Sequence, residues 1–195
     1  MKNFIKLFTL ITVVLFVANL SYGQANIGFK GIGGKVGFVD PESSIGSTFG
    51  LGVVANLGTI TPAIHLDAFA DYWGKSYDES MFGANAESKC TEIAIGAAAK
   101  YYFPMEGSKF KPYAGGGLAL TIGKCTFDYQ YTDPFTGQTS DQSSSSSDTE
   151  LGFRILGGAD MELSPGLIGF GEIVYHTNGW DYLGIFVGVV KILGE

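Results

Sequence analysis

Cys90-Thr91-Glu92-Ile93-Ala94-Ile95-Gly96-Ala97-Ala98-Ala99-Lys100-Tyr101-Tyr102-Phe103 alternates along its length. One face reads Thr91, Ile93, Ile95, Ala97, Ala99, Tyr101 and Phe103. The other reads Cys90, Glu92, Ala94, Gly96, Ala98, Lys100 and Tyr102, so both charges fall on one side. A period of two is that of a β-strand, whose successive side chains point to opposite faces. The segment Ile60–Trp73 repeats the arrangement, with Ile64, Leu66, Ala68, Ala70 and Tyr72 opposed to His65, Asp67, Phe69, Asp71 and Trp73.

The same test along the chain predicts eight strands: Ile27–Val39, Ser47–Leu57, Ile60–Trp73, Cys90–Phe103, Lys111–Phe127, Glu150–Leu163, Leu167–Thr177 and Trp180–Leu193. Gly58-Thr59, Pro104–Phe110 and Ser164-Pro165-Gly166 are short connectors, whereas Gly74–Lys89 and Asp128–Thr149 read as long polar loops. Tight turns at one end and long loops at the other are the asymmetry of a membrane β-barrel. Pro41–Gly46 is also short, and Asn178-Gly179 predicts a tight type I′ hairpin.

Turn positions set strand registers. A turn at Gly58-Thr59 places Gly52 beside His65 and Gly50 beside Asp67. A turn centred between Gly107 and Ser108 places Lys100 beside Gly115, Ala98 beside Gly117 and Glu92 beside Gly123. Bulky polar groups then face small ones, which suits a crowded interior. The second register also sets Cys90 opposite Cys125, within reach of a disulfide, and an exported chain meets an oxidising compartment. Two cysteines without nearby histidine lack the spacing of a metal site.

Export is written at the start of the chain. Lys2 and Lys6 precede an apolar stretch, Leu7–Leu20, and Ser21-Tyr22-Gly23 supplies small residues at cleavage positions, so residues 1–23 read as a signal peptide. Gly23 and Ala25 permit a cut two residues later. Residues 24–195 are left as one barrel domain. Within the 195 residues only 16% are charged while 29 are glycine, and the formal charge is −7 with Arg154 the sole arginine. Those numbers exclude a disordered polyelectrolyte and argue against nucleic acid as a partner.

Alternation alone does not say which face points inward. A soluble exported lipid-binding barrel would turn Ile93, Ile95, Leu118 and Leu120 inward; a membrane barrel turns them out against lipid. Low total charge, the small residues beside Glu92 and Lys100, and Tyr101, Phe103, Tyr72 and Phe49 at the ends of the apolar face favour the membrane version. The run Ala99-Lys100-Tyr101-Tyr102-Phe103-Pro104, followed by Phe110-Lys111-Pro112-Tyr113-Ala114-Gly115-Gly116-Gly117-Leu118, resembles the fourth-to-fifth strand hairpin of small OmpX-like and opacity-protein-like outer-membrane barrels, a group that includes many porin-family barrel domains. The resemblance implies an all-β, eight-stranded antiparallel up-and-down transmembrane barrel in the outer membrane of a Gram-negative bacterium, with periplasmic termini. The last strand departs from that group in lacking a terminal aromatic residue.

A membrane barrel needs its strand charges inside. The candidate interior network is His65, Asp67, Asp71, Glu92, Lys100, Arg154, Asp160, Glu162 and Glu172, with Lys191 a further candidate. A three-residue Ser164–Gly166 loop keeps Glu172 inward; a two-residue turn puts it outward. Eight strands leave a lumen that side chains nearly fill, so packing is expected ahead of a solute or ion pore. Tyr175-His176-Thr177-Asn178 faintly resembles the His-x-Ser-Asn region of barrels that deacylate lipid A. Asn178 stands where the serine belongs and Thr177 points to the opposite face, so an enzyme is not expected and His176 reads as a girdle or loop-base residue. No cofactor or metal is expected. The remaining partners are outer-membrane lipids and an extracellular ligand or protein at residues 74–89, where Tyr77, Met81 and Phe82 offer an apolar handle, or 128–149. The latter combines the linker-like run Ser143–Ser147 with Asp128, Asp133, Asp141 and Asp148, acidic enough for weak cation binding. The overall expectation is a structural or surface-interaction role.

Overall fold

A computed structural model describes residues 25–41, 45–81, 84–105, 107–132, 135–177 and 180–193. The expected signal peptide, the Asn178-Gly179 turn, Phe82 and Asp133 lie outside the described residues. Eight strands follow one another: β1 Asn26–Pro41, β2 Thr48–Thr61, β3 Ile64–Met81, β4 Ala84–Tyr102, β5 Phe110–Thr132, β6 Thr139–Ser164, β7 Leu167–Thr177 and β8 Tyr182–Ile192. Each pairs antiparallel with its neighbours, and β1 pairs β8 from Gly31↔Ile192 to Pro41↔Tyr182, closing the barrel. Closure removes every sheet edge within the barrel wall.

The alternation assigns the faces. Phe49, Val36, Ile155 and Phe153 point out, exposed by 74%, 61%, 66% and 62%, whereas Lys35, Asp71, Lys100 and Arg154 are buried inside. The apolar exterior ends in aromatic pairs. Phe38 and Phe49 meet edge-on at 4.5 Å at one end, and Tyr101 and Phe103 at 5.2 Å at the other.

The β4–β5 register is the expected one, with Lys100↔Gly115, Glu92↔Gly123 and Cys90↔Cys125, and the two cysteines form a disulfide. The β2–β3 register differs. The chain turns at Pro62-Ala63, not Gly58-Thr59, so Gly52 faces Asp71 and Gly50 faces Trp73. Proline pre-sets the backbone angle of such a turn. Gly58 instead occupies a bulge with φ +88°, its N–H donating to Asn56 Oδ1 at 3.0 Å. The slip is even-numbered, so every side chain keeps its face; Asp71 now opposes a glycine, whereas Asp67 faces Asn56 and His65 faces Thr59.

At the β6–β7 turn both expectations hold in part. Pro165-Gly166 is a two-residue turn with Ser164↔Leu167, but an irregularity between Glu162 and Ser164 restores the pairing of a three-residue loop, and Glu172 is buried. The long loops require a larger correction. Most of 74–89 and 128–149 is strand: β3 and β4 pair out to Met81↔Ala84, and β5 and β6 to Thr132↔Thr139, with Ser143–Ser147 inside β6. Hydrophobic alternation cannot register there, because beyond the apolar band no face is obliged to be apolar.

Gly58→Ala should destabilise the barrel by about 1–2 kcal/mol, the cost of a left-handed L-residue, since its Cβ would also stand 2.1 Å from the Asn26 carbonyl oxygen. Gly171, with no heavy atom within 4 Å of an added Cβ, should accept alanine unchanged. Urea unfolding in lipid vesicles, followed by tryptophan fluorescence, measures both.

Candidate functional site

The inward charges form an alternating chain. Arg154 on β6 binds Asp71 Oδ2 on β3 through Nη2; Asp71 Oδ1 lies 3.1 Å from Lys35 Nζ on β1. Lys35 donates to Glu172 Oε1 on β7 at 2.7 Å. Glu172 Oε2 is 3.8 Å from Lys100 Nζ on β4, which closes on Asp67 Oδ2 at 2.8 Å. Each carboxylate of Asp71 and Glu172 thus stands between two cations, and the six side chains are only 1–9% exposed. Asn56 extends the line by donating to Asp67 Oδ1 at 3.3 Å.

Room for this chain comes from a glycine. Gly52 pairs with Lys35 on one side and Asp71 on the other. A Cβ there would stand 2.2 Å from Asp71 Oδ1 and 2.9 Å from Lys35 Cε. Aromatic faces cover the cations: Phe69 lies 3.6 Å from the Arg154 guanidinium carbon, and Phe186 and Tyr113 lie 4.6 Å from Lys35 and Lys100 respectively. Such contacts strengthen as water is excluded.

Above and below, aromatic side chains and two further acids complete the packing. Towards the long hairpins, Trp73 donates its indole N–H to Glu92 Oε1 at 3.2 Å, and Tyr182 accepts from Arg154 at 3.2 Å. Towards the short turns, Tyr102 donates to Asp160 Oδ2 at 2.5 Å and its ring lies 4.4 Å from that of half-buried His65. Glu162 does not join this interior: it stands exposed beside the β6–β7 irregularity. Lys191 is exposed too and reaches the Pro165 carbonyl at 3.5 Å.

Two basic interior residues escaped the sequence reading. Lys35 lies in a glycine-rich strand whose apolar face, Val36 and Phe38, implied that an intervening lysine must point in; that parity was the available signal. His176 is completely buried rather than in a girdle. It stacks on Tyr182 at 5.1 Å with Nε2 3.1 Å from Thr121 Oγ1. Thr177 does point the other way, bonding to the Phe153 backbone. Thr121, like His176, is buried.

Asp78, Glu87, Asp128 and Asp141 line a cavity of about 520 Å³ on the outward side of the β3–β6 extension. Among the described residues no group of three or more His, Cys, Asp or Glu is disposed to hold a metal ion.

A family model, the outer membrane protein β-barrel domain, matches residues 8–179. The chain belongs to this family. It is an outer-membrane protein of the Gram-negative envelope, and its exposed aliphatic belt is the lipid-facing surface. Among solved structures, the barrel is similar in fold to Neisserial surface protein A, at 18% identity with a TM-score of 0.58, over 84% of this chain and 96% of that one. More distant matches are a major outer membrane protein of Thermus thermophilus (12% identity, TM-score 0.47, covering 83% and 99%) and Ail, the attachment invasion locus protein of Yersinia pestis (12%, 0.38, covering 84% and 98%). No curated protein sequence matches the chain.

In this outer-membrane barrel, Asp71→Asn would leave Arg154 and Lys35 without their shared counter-charge. Breaking a buried pair costs about 3–5 kcal/mol, so the urea midpoint should fall sharply. Asp160→Asn, which keeps a hydrogen-bond acceptor for Tyr102, should cost much less. Equal midpoints for Asp71→Asn and the unaltered protein would contradict the ion-chain reading.

Proposed function

We propose that this outer-membrane barrel is a surface-interaction protein: a closed barrel anchors it in the membrane and the long β3–β6 extension meets partners outside the cell. Residues 1–23 serve as the export signal in this reading. The observation that carries it is the filled lumen. The ion chain spans the middle of the barrel, and above it Trp73, Tyr182, Phe186 and His176 are at most 2% exposed. A permeation path would need hydrated space where these side chains pack, and catalysis at Thr121 and His176 would need an entry route through them. What extends from the barrel, in contrast, is paired, polar and accessible.

Two measurements on the full chain test the proposal. In planar bilayers the protein should give no salt-dependent conductance steps; regular steps would replace the anchor with a pore. On intact cells an impermeant amine reagent should label Lys89 and Lys124, exposed at the base of the extension, while Lys109, exposed at the opposite end, should react only after the outer membrane is breached. The reverse labelling order would refute the orientation and the surface role together.

A further inference from the structure

Strands β3–β6 continue beyond the lipid belt, and there the two faces exchange character. Up to Ile93 and Ile122 the outward face is apolar. Above the Cys90–Cys125 row it carries Lys89, Glu87, Asp128 and Asp141, while the face continuous with the lumen becomes aromatic. Phe127, Tyr129 and Tyr131 occupy every second position of β5 and are 48%, 36% and 38% exposed. Tyr77, 39% exposed, stands in the same cross-strand row as Phe127, with only Ser88 between them. Strand geometry sets successive rings on β5 about 6.8 Å apart and puts Tyr77 about 9.5 Å from Phe127. Between and beside the rings lie small or hydrogen-bonding residues: Ala86 and Ser88 on β4, and Ser140, Gln142 and Ser144 on β6.

We propose that this face binds an uncharged saccharide chain from outside the cell, which names the partner class for the surface-interaction reading and rests on it. A sugar ring has an apolar C–H side that stacks on an aromatic ring and hydroxyls at its rim that need donors and acceptors. The stripe of rings on β5 offers the first, and the flanking serine and glutamine row the second. Charge selects against the alternatives. Above the Cys90–Cys125 row no described side chain on this face is charged; in that row Lys75 donates to the Ser47 carbonyl at 3.0 Å and lies 5.6 Å from the Tyr77 ring, and Asp148 and Glu150 sit lower on β6. Four carboxylates back the sheet, so sulfated saccharides and nucleic acids are repelled although their rings or bases could stack. A protein partner would favour a continuous apolar patch, and here polar residues interrupt it. The face looks across the barrel axis, so the protein's own lipid headgroups meet the other side. The disulfide in the row beneath ties β4 to β5 at the base of the platform.

The test uses the full chain in a detergent without a sugar headgroup, with calorimetric titration of neutral oligosaccharides of glucose, mannose and N-acetylglucosamine, and of a heparin-derived sulfated one. At least one neutral saccharide should bind, and Phe127→Ala and Tyr129→Ala should each weaken it about tenfold, the scale of one lost stacking contact. Asp128→Asn on the reverse face should leave the affinity unchanged, and heat-modifiable gel mobility confirms that each variant is folded. The inference is overturned if no neutral saccharide binds, if only the sulfated one does, or if Asp128→Asn weakens binding as much as the ring substitutions. Surface labelling of Lys89 and Lys124 without saccharide binding would overturn this inference alone; failure of that labelling would remove the surface reading with it.

Discussion

Asp71 sits between Arg154 and Lys35 in a space that a single Cβ on Gly52 would close. Much of the barrel follows from that arrangement. Three cations and three carboxylates drawn from β1, β3, β4, β6 and β7 alternate along one line, so each strand's inward face is fixed by a charge on another strand. Removing any member leaves its neighbours charged, desolvated and short of a partner, which makes the set cooperative rather than a sum of pairs. The aromatic rings of Phe69, Phe186 and Tyr113 then pack over the cations and exclude the water that would otherwise screen them.

How far the sequence could be read depended on which force was setting each residue. Where lipid lies outside and charge inside, the two-residue period is unambiguous; the eight strands and the Cys90–Cys125 pairing followed from alternation and turn position, while the choice of inward face needed the low charge, the small residues beside Glu92 and Lys100 and the aromatic ends as well. Local turn chemistry was less decisive. Gly58-Thr59 and Pro62-Ala63 are both credible turns, and the difference between a glycine turn and a glycine bulge depends on which register the closed barrel accepts. Because that choice moved the partner by an even number of residues, the face assignment survived while Gly52 exchanged His65 for Asp71. The ion chain itself was legible as a set of inward residues, except that Lys35 and His176 were missed and Glu162 included. Its connectivity was not legible, since Lys35 meets Glu172 only through curvature and closure of the wall.

The long hairpins show where periodicity stops informing. Asp128–Thr149 looked like loop because its serines and acids have no apolar face to alternate with. Yet β5 there carries Phe127, Tyr129 and Tyr131, residues with high strand propensity, and β6 needs only unbranched small partners to pair with them. The sign reversal of the pattern at Lys89 and Lys124 is itself the boundary marker. Below it outward residues are selected for lipid; above it they are selected for water, and the aromatic residues move to the other face.

Why the lumen should be charged at all is a question of specificity. A well-packed apolar core commonly matches or exceeds a buried ion network in stability. In this barrel, however, the exterior is already apolar, and an apolar lumen would leave strands such as β4 and β5 hydrophobic on both faces. A one-residue slip, which turns every side chain over, would then carry little penalty. With Glu92 and Lys100 on β4 and Arg154 on β6, the same slip drives charge into lipid, at about 2–4 kcal/mol for each basic residue near the bilayer midplane. The ion chain therefore does for facing what the Cys90–Cys125 bond does for register on β4 and β5: it makes the inverted wall far less stable than the native one, whatever its net contribution to folding.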